Sequence, residues 1–259
     1  MKAARTTRLL LATTLALTAG PATSAVATDT AKLKVSLTPE TLGAGTTIAF
    51  DLQILAPSGE IPQPLTNIDL LYPANLGLIT SGLGLSTCSG AELETKGRCP
   101  ADALMGYGSA LAEIPFEETI IEKARITTWM APIENGHLQL LFLAKASAPV
   151  TSEIIFTSLL LGAAPPFGGS LATTVPIVPT LPEGPDVAIT ELRTTLGPMH
   201  ITYYETFHGK RIAYHPQGIR LPHTCPHDGF PFAATLAFLN DTHANAHTSV
   251  PCPTHEGVR

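Results

Sequence analysis

Charge is scarce in this sequence: Asp, Glu, Lys and Arg make up 14% of 259 residues, while apolar residues make up 44%. That balance excludes a disordered polyelectrolyte, which needs much charge and little apolar surface. The formal net charge is −6. Nucleic acid is thereby excluded as the main partner, because phosphate binding needs a Lys/Arg patch. No apolar run approaches the roughly 20 residues that a membrane-crossing helix needs. The longest runs, Leu138–Ala144 and Ser158–Pro166, have the length of core strands. The sequence has no C-x-x-C, no H-E-x-x-H and no G-x-S-x-G. The zinc ribbon, the zincin helix and the hydrolase elbow are therefore missing, and no cofactor is expected. In contrast, 23 Pro and 21 Gly are too many for a helical bundle.

The N-terminus reads as an export signal. Lys2, Arg5 and Arg8 form a basic start, Leu9–Thr18 is a short apolar stretch, and Ala25-Val26-Ala27 offers small residues for cleavage. Thr23-Ser24-Ala25 is a second cleavage option. This three-part layout is that of a secretory signal peptide over residues 1–27. The expected protein is secreted, and residues 28–259 form one domain or two closely packed ones, with a division near 115–118 or 163–169.

The body reads as strands. Ile48, Phe50, Leu52 and Ile54 alternate with Thr47, Ala49, Asp51 and Gln53, the pattern of a half-buried strand. Leu33, Val35 and Leu37 alternate in the same way. Further strands are expected over 65–71, 104–114, 119–131, 137–146, 152–161, 170–178, 186–196, 200–207, 210–215, 231–239 and 243–250. Regular short strands with frequent turn signals predict an all-β protein, an antiparallel β-sandwich (Ig-like or jelly-roll-like) with one or two short helices.

Export permits disulfides, and Cys88, Cys99, Cys225 and Cys252 are even in number. Spacing favours Cys88–Cys99 and Cys225–Cys252. Between the first two, Ser89 and Glu92 form a capping box and Gly97 is a stop, which predicts a helix over 90–96.

Two hairpin registers follow from the turns. Asn135-Gly136 predicts a two-residue turn that pairs Trp129 with Phe142, Ala131 with Leu140 and Ile133 with Leu138 on one face. Trp129 is then a core residue. Near the C-terminus, a three-residue turn over Asn240-Asp241-Thr242 sets Ala244, Ala246, Thr248 and Val250 against Phe238, Leu236, Ala234 and Phe232.

Candidate chemistry is sparse. Eight of the nine histidines follow residue 199, and His223/His227 and His243/His247 have H-x-x-x-H spacing. On a strand, residues four apart are separated by about 13 Å, too far to share one ion. His243/His247 thus fails, and His223 and His227 remain the metal candidates. A hairpin over His208-Gly209 places Tyr203 opposite Tyr214 and Glu205 opposite Ile212. Tyr203, Tyr204, Glu205 and Tyr214 make a candidate ligand patch for a sugar or peptide, against ordinary cross-strand packing. Glu117, Glu118 and Glu122 read as a surface cluster.

Several segments occur together: Tyr72-Pro73-Ala74-Asn75-Leu76-Gly77, Gly82-Leu83-Gly84-Leu85, Cys99-Pro100-Ala101-Asp102, Met105-Gly106-Tyr107-Gly108-Ser109-Ala110, Cys225-Pro226 and Pro251-Cys252. In this order they resemble a family of exported actinobacterial β-rich proteins of unassigned function. The resemblance implies an exported β-sandwich and transfers no catalytic residue. The expected role is non-enzymatic binding, or a structural role, at the cell envelope or outside the cell, with an envelope component or saccharide as ligand. The alternative is a metal-dependent enzyme using the C-terminal histidines.

Overall fold

A computed structural model describes residues 28–78, 86–147, 151–179, 184–198 and 201–253. The export signal and the Gly82–Leu85 segment lie outside the described residues. Among the described residues, fifteen strands and one α-helix follow in order. They are β1 (Thr30–Thr38), β2 (Gly45–Leu55), β3 (Leu65–Pro73), β4 (Gly77–Leu78), α1 (Gly90–Lys96), β5 (Leu104–Ile114), β6 (Ile120–Glu134) and β7 (His137–Ala146). Then come β8 (Ser152–Gly162), β9 (Phe167–Thr174), β10 (Ala188–Leu196), β11 (Tyr203–Phe207), β12 (Lys210–Tyr214), β13 (Ile219–Arg220), β14 (Phe230–Phe238) and β15 (His243–Val250).

One antiparallel path runs β1-β2-β10-β5-β6-β7-β8-β9-β3-β14-β15, with the short β13 and β4 continuing beside β2. Its two end strands, β1 and β15, pack side by side. The fold is therefore all-β, but its sheet is a nearly closed barrel and not the expected sandwich. The reason lies in the non-local ladders β2–β10, β5–β10, β3–β9 and β3–β14. They make the sheet continuous, whereas a sandwich breaks it in two. Alternation along a strand marks one apolar face and is blind to that choice. Segments 115–118 and 163–166 join strands that pair with each other, β5 with β6 and β8 with β9.

Inward-facing side chains from the whole circuit form one core, including Leu52, Ile126, Phe142, Phe230, Phe232 and Leu236. Phe50 meets Phe232 edge-on at 6.1 Å, and Phe142 stacks on Phe156 at 5.1 Å. Buried hydroxyls inside this core pair where neighbours allow, as Ser158 Oγ and Thr173 Oγ1 do at 2.6 Å. The outer face carries a register row of Lys34, Asp51, Arg193, Ser109, Arg125, Lys145 and Glu153. Apolar inside and charged outside is the reverse of a lipid-spanning barrel.

The Asn135-Gly136 turn forms with both residues at positive φ (49° and 82°). Glu134 pairs with His137 as expected, but the register then slips between Ala131 and Glu134. Trp129 lies opposite Leu141, not Phe142. Pro132 sits in this interval and has no N–H for the ladder, so the strand bulges there. Phe142 consequently faces the barrel core, while Trp129 faces out. There Cys88, Leu93, Ala131 and Leu141 form a second, smaller core, with Trp129 and Ile155 at its border.

Helix α1 covers that outer core. Ser89 caps it, its Oγ accepting from the Glu92 N–H at 3.2 Å, and Gly97 ends it at φ 63°. The Cys88–Cys99 disulfide closes this element, and Cys225–Cys252 closes the other end of the chain, as expected from spacing.

The last hairpin keeps the expected faces with a different register. Phe232 pairs with Thr248 and Leu236 with Ala244. The three-residue turn is Leu239-Asn240-Asp241, one residue earlier than expected. Asp241 takes the left-handed conformation at φ 60°, and Asn240 Oδ1 accepts from the Thr242 N–H at 3.2 Å. A type I turn followed by a left-handed residue is a favoured three-residue hairpin.

Candidate functional site

Strand β5 begins Leu104-Met105-Gly106-Tyr107-Gly108. A β-carbon on Gly106 would collide with the Thr195 carbonyl, and one on Gly108 with the Arg193 carbonyl. The two glycines thus let β5 press against β10. Tyr107 and Ser109, between and beyond them, turn outward beside Arg193 and Thr195. With β1 and β2 on the far side of β10, the outer surface forms a trough of about 450 Å³. That volume lies within the range of small-molecule sites.

The trough carries Lys34, Asp51 and Arg193 among less polar lining residues such as Val35, Ala49 and Tyr107. Arg193 Nε lies 2.9 Å from Glu191 Oε1 and 3.5 Å from Asp51 Oδ2. Its Nη2 donates to Glu191 Oε2 at 3.1 Å. Asp51 Oδ1 has no hydrogen-bond partner among the described residues. Lys34 stands opposite Asp51 in the ladder. Tyr107 borders these groups and is 54% exposed. Charged donors and acceptors beside an open aromatic face can orient a polar ligand and shield one side of it.

Sequence reasoning missed this trough. Its side chains come from β1, β2, β5 and β10, far apart in the chain and joined by ladders that no turn signal announces. The Gly-x-Gly spacing of β5 was the one local sign of close backbone approach.

The expected ligand patch is split by depth. β11 and β12 pair in the expected register, Tyr203 with Tyr214 and Glu205 with Ile212. Tyr203 is buried, and its hydroxyl donates to the Leu104 carbonyl. Burial holds the Tyr203 phenol well above the ordinary tyrosine range, with Asp102, Tyr214 and Tyr107 adding to the effect. Tyr204 and Glu205 are exposed, and Tyr214 is half-buried. The Arg211 guanidinium lies 4.0 Å over the Tyr204 ring.

Among the described residues the histidines form no metal-holding group. His223 packs its ring on Gly43. His227 projects into solvent and contacts Asp228 at 2.7 Å. His243 and His247 point outward from β15, while His200 and His255 lie outside the described residues. Among the described residues no group of three or more His, Cys, Asp or Glu could hold a metal ion. Glu117 and Glu118 are exposed, but Glu122 is buried on the inward face of β6. It shares the parity of Ala124, Ile126 and Thr128, which corrects the surface expectation for this residue.

Inside the barrel, Ile48, Tyr72, Leu138, Leu160, Leu196 and Ile219 border an apolar cavity of about 60 Å³. This is well below the size of a ligand pocket and corresponds to imperfect packing. Comparison with protein families, curated proteins and solved structures finds no match to this chain.

Proposed function

We propose that this chain is an exported, non-enzymatic binding protein of the cell envelope, related to the actinobacterial family it resembles, and that it holds a saccharide in the outer trough. The observation that carries this reading is the grouping of Lys34, Asp51, Ser109 and Arg193 beside the open ring of Tyr107. Sugar hydroxyls both donate and accept. Arg193 and Lys34 supply donors, and the Asp51 carboxylate and Ser109 hydroxyl in the lining supply acceptors. The Tyr107 ring offers a flat apolar face for the C–H side of a sugar ring. Two disulfides and the N-terminal signal pattern support a destination outside the cytoplasm.

The test is titration calorimetry of the exported chain against neutral, amino and uronic cell-wall oligosaccharides. Binding that falls at least tenfold in both Tyr107→Ala and Asp51→Asn supports the reading. Absence of heat with all three classes, or binding untouched by both substitutions, rejects it.

A further inference from the structure

We infer that the β11–β12 hairpin is a finger that docks the protein on an anionic lipid surface. Among the described residues its strands pair only with each other, outside the barrel sheet. Every residue from Tyr204 to Ala213 is exposed. Three of them are large and apolar: Tyr204 is 52% exposed, Phe207 60% and Ile212 47%. A two-stranded ribbon that buries none of these groups gains little from them, so their benefit lies in an environment other than water.

The register identifies that environment. Phe207 and Ile212 share one face of the ribbon, and Tyr204 lies on the other. A protein partner covers one face of a projecting ribbon, whereas a bilayer interface surrounds it. Apolar groups on both faces therefore match a lipid medium. Charge agrees: the finger carries Lys210 and Arg211 against one carboxylate, Glu205, on a chain of net charge −6. Anionic headgroups repel the body of the protein and attract this element. Arg211 is stacked on Tyr204, so cation and ring reach the headgroup level together, where tyrosine is favoured.

The finger is also held to project. Its His208-Gly209 turn has both residues at positive φ (48° and 73°), which keeps the tip to two residues. At its base, the buried Tyr203 fixes the ribbon to the Leu104 carbonyl. Five residues per strand give it a length of about 16 Å at roughly 3.3 Å per residue. The finger shares no residue with the lining of the saccharide trough, and the inference does not rest on that reading.

The experiment is cosedimentation of the chain, as recovered from an exporting host, with vesicles of phosphatidylglycerol and phosphatidylcholine in equal parts, and with phosphatidylcholine alone. The expected result is binding to the mixed vesicles and at least tenfold weaker binding to the neutral ones. Lys210→Glu with Arg211→Glu lowers binding by more than roughly 25-fold, since each cation near the surface contributes about fivefold. Phe207→Ser with Ile212→Ser also lowers it, whereas Phe116→Ser, at an exposed ring elsewhere, leaves it unchanged. The replaced side chains are exposed, so circular dichroism and melting temperature stay at wild-type values and separate loss of docking from loss of fold. A wild-type chain that ignores anionic vesicles, or double variants that bind as well as wild type, overturns the proposal. Self-association in the ultracentrifuge that Phe207→Ser with Ile212→Ser abolishes assigns the finger to a second copy and overturns it as well.

Discussion

The Tyr72 ring lies against Gly169, its pairing partner across the β3–β9 ladder, so closely that a β-carbon at Gly169 would collide with the phenol. Tyr72 in turn borders the internal cavity. The glycine therefore sets how far the tyrosine enters the barrel. Gly169→Val is expected to push the ring outward and cost about 1–3 kcal/mol of stability, the range for overpacking a core. Chemical denaturation checks this. A Gly169→Val variant as stable as wild type contradicts the placement of Tyr72.

Burial raises the phenol pKa of Tyr72 above its ordinary value of 10.0, and that of Tyr203 further still. The folded state holds both protons at a pH where the unfolded chain releases them. Stability from these groups is fully present below pH 10 and declines as pH rises toward the folded values. Denaturation midpoints are expected to be flat in this contribution at neutral pH and to fall above pH 10. Tyr203→Phe lowers stability at pH 8 by about 1 kcal/mol through loss of the bond to Leu104 and flattens the alkaline decline. An alkaline slope that survives in full in Tyr203→Phe, Tyr72→Phe and their combination refutes the linkage.

Local rules carried much of the architecture. Alternation located β2, the Ser89–Glu92 box with Gly97 bounded α1, and spacing paired the cysteines, because each feature is determined within a few residues. What escaped was set between distant segments. The same inward residues of β2 satisfy a barrel or a sandwich, and only its ladder to β10 decides. The slip at Pro132 reversed the face of Trp129, since one extra residue in a strand changes parity. Glu122 was readable in principle from its parity with Ala124 and Ile126, but its neighbours Glu117 and Glu118 suggested a charged surface. The trough was invisible because Lys34, Asp51, Tyr107 and Arg193 meet only after β10 inserts between β2 and β5.

The outer core under α1 offers a test of that reversal. Trp129 is the only tryptophan and borders the cluster that contains Cys88. Cys88→Ser with Cys99→Ser is expected to cost roughly 3 kcal/mol, from the chain entropy of a short closed loop. It also loosens α1 and shifts Trp129 emission to the red. Cys225→Ser with Cys252→Ser leaves the emission where it was, because Cys225 packs against the main core and not against the cluster that Trp129 borders. If the second pair moves the emission and the first does not, Trp129 belongs elsewhere.

Helix α1 itself rests on a cap. The Ser89 hydroxyl accepts from the Glu92 N–H, and Leu93 is its buried contact. Ser89→Ala is expected to cost about 1 kcal/mol, and Ser89→Asp close to nothing, because a carboxylate caps equally well. Equilibrium unfolding of the two variants separates capping from simple side-chain loss.

Gly108 joins the fold to the trough. It faces the core side of β5, and the Arg193 carbonyl occupies the space that a side chain would need. Gly108→Ala is expected to force β5 away from β10, with a loss of about 1–3 kcal/mol in stability. The same displacement moves Tyr107 and Ser109 relative to Arg193, which widens the trough. Ligand affinity is then expected to fall at temperatures where the variant remains folded. Ser109→Ala, on the outer face of the same strand, removes one hydroxyl and leaves the spacing intact, so its stability stays within about 0.5 kcal/mol of wild type. Hydrogen exchange at the β5–β10 ladder amides gives the direct measurement: faster exchange in Gly108→Ala and unchanged exchange in Ser109→Ala. Equal protection in both variants means that the glycine is not what brings the two strands together.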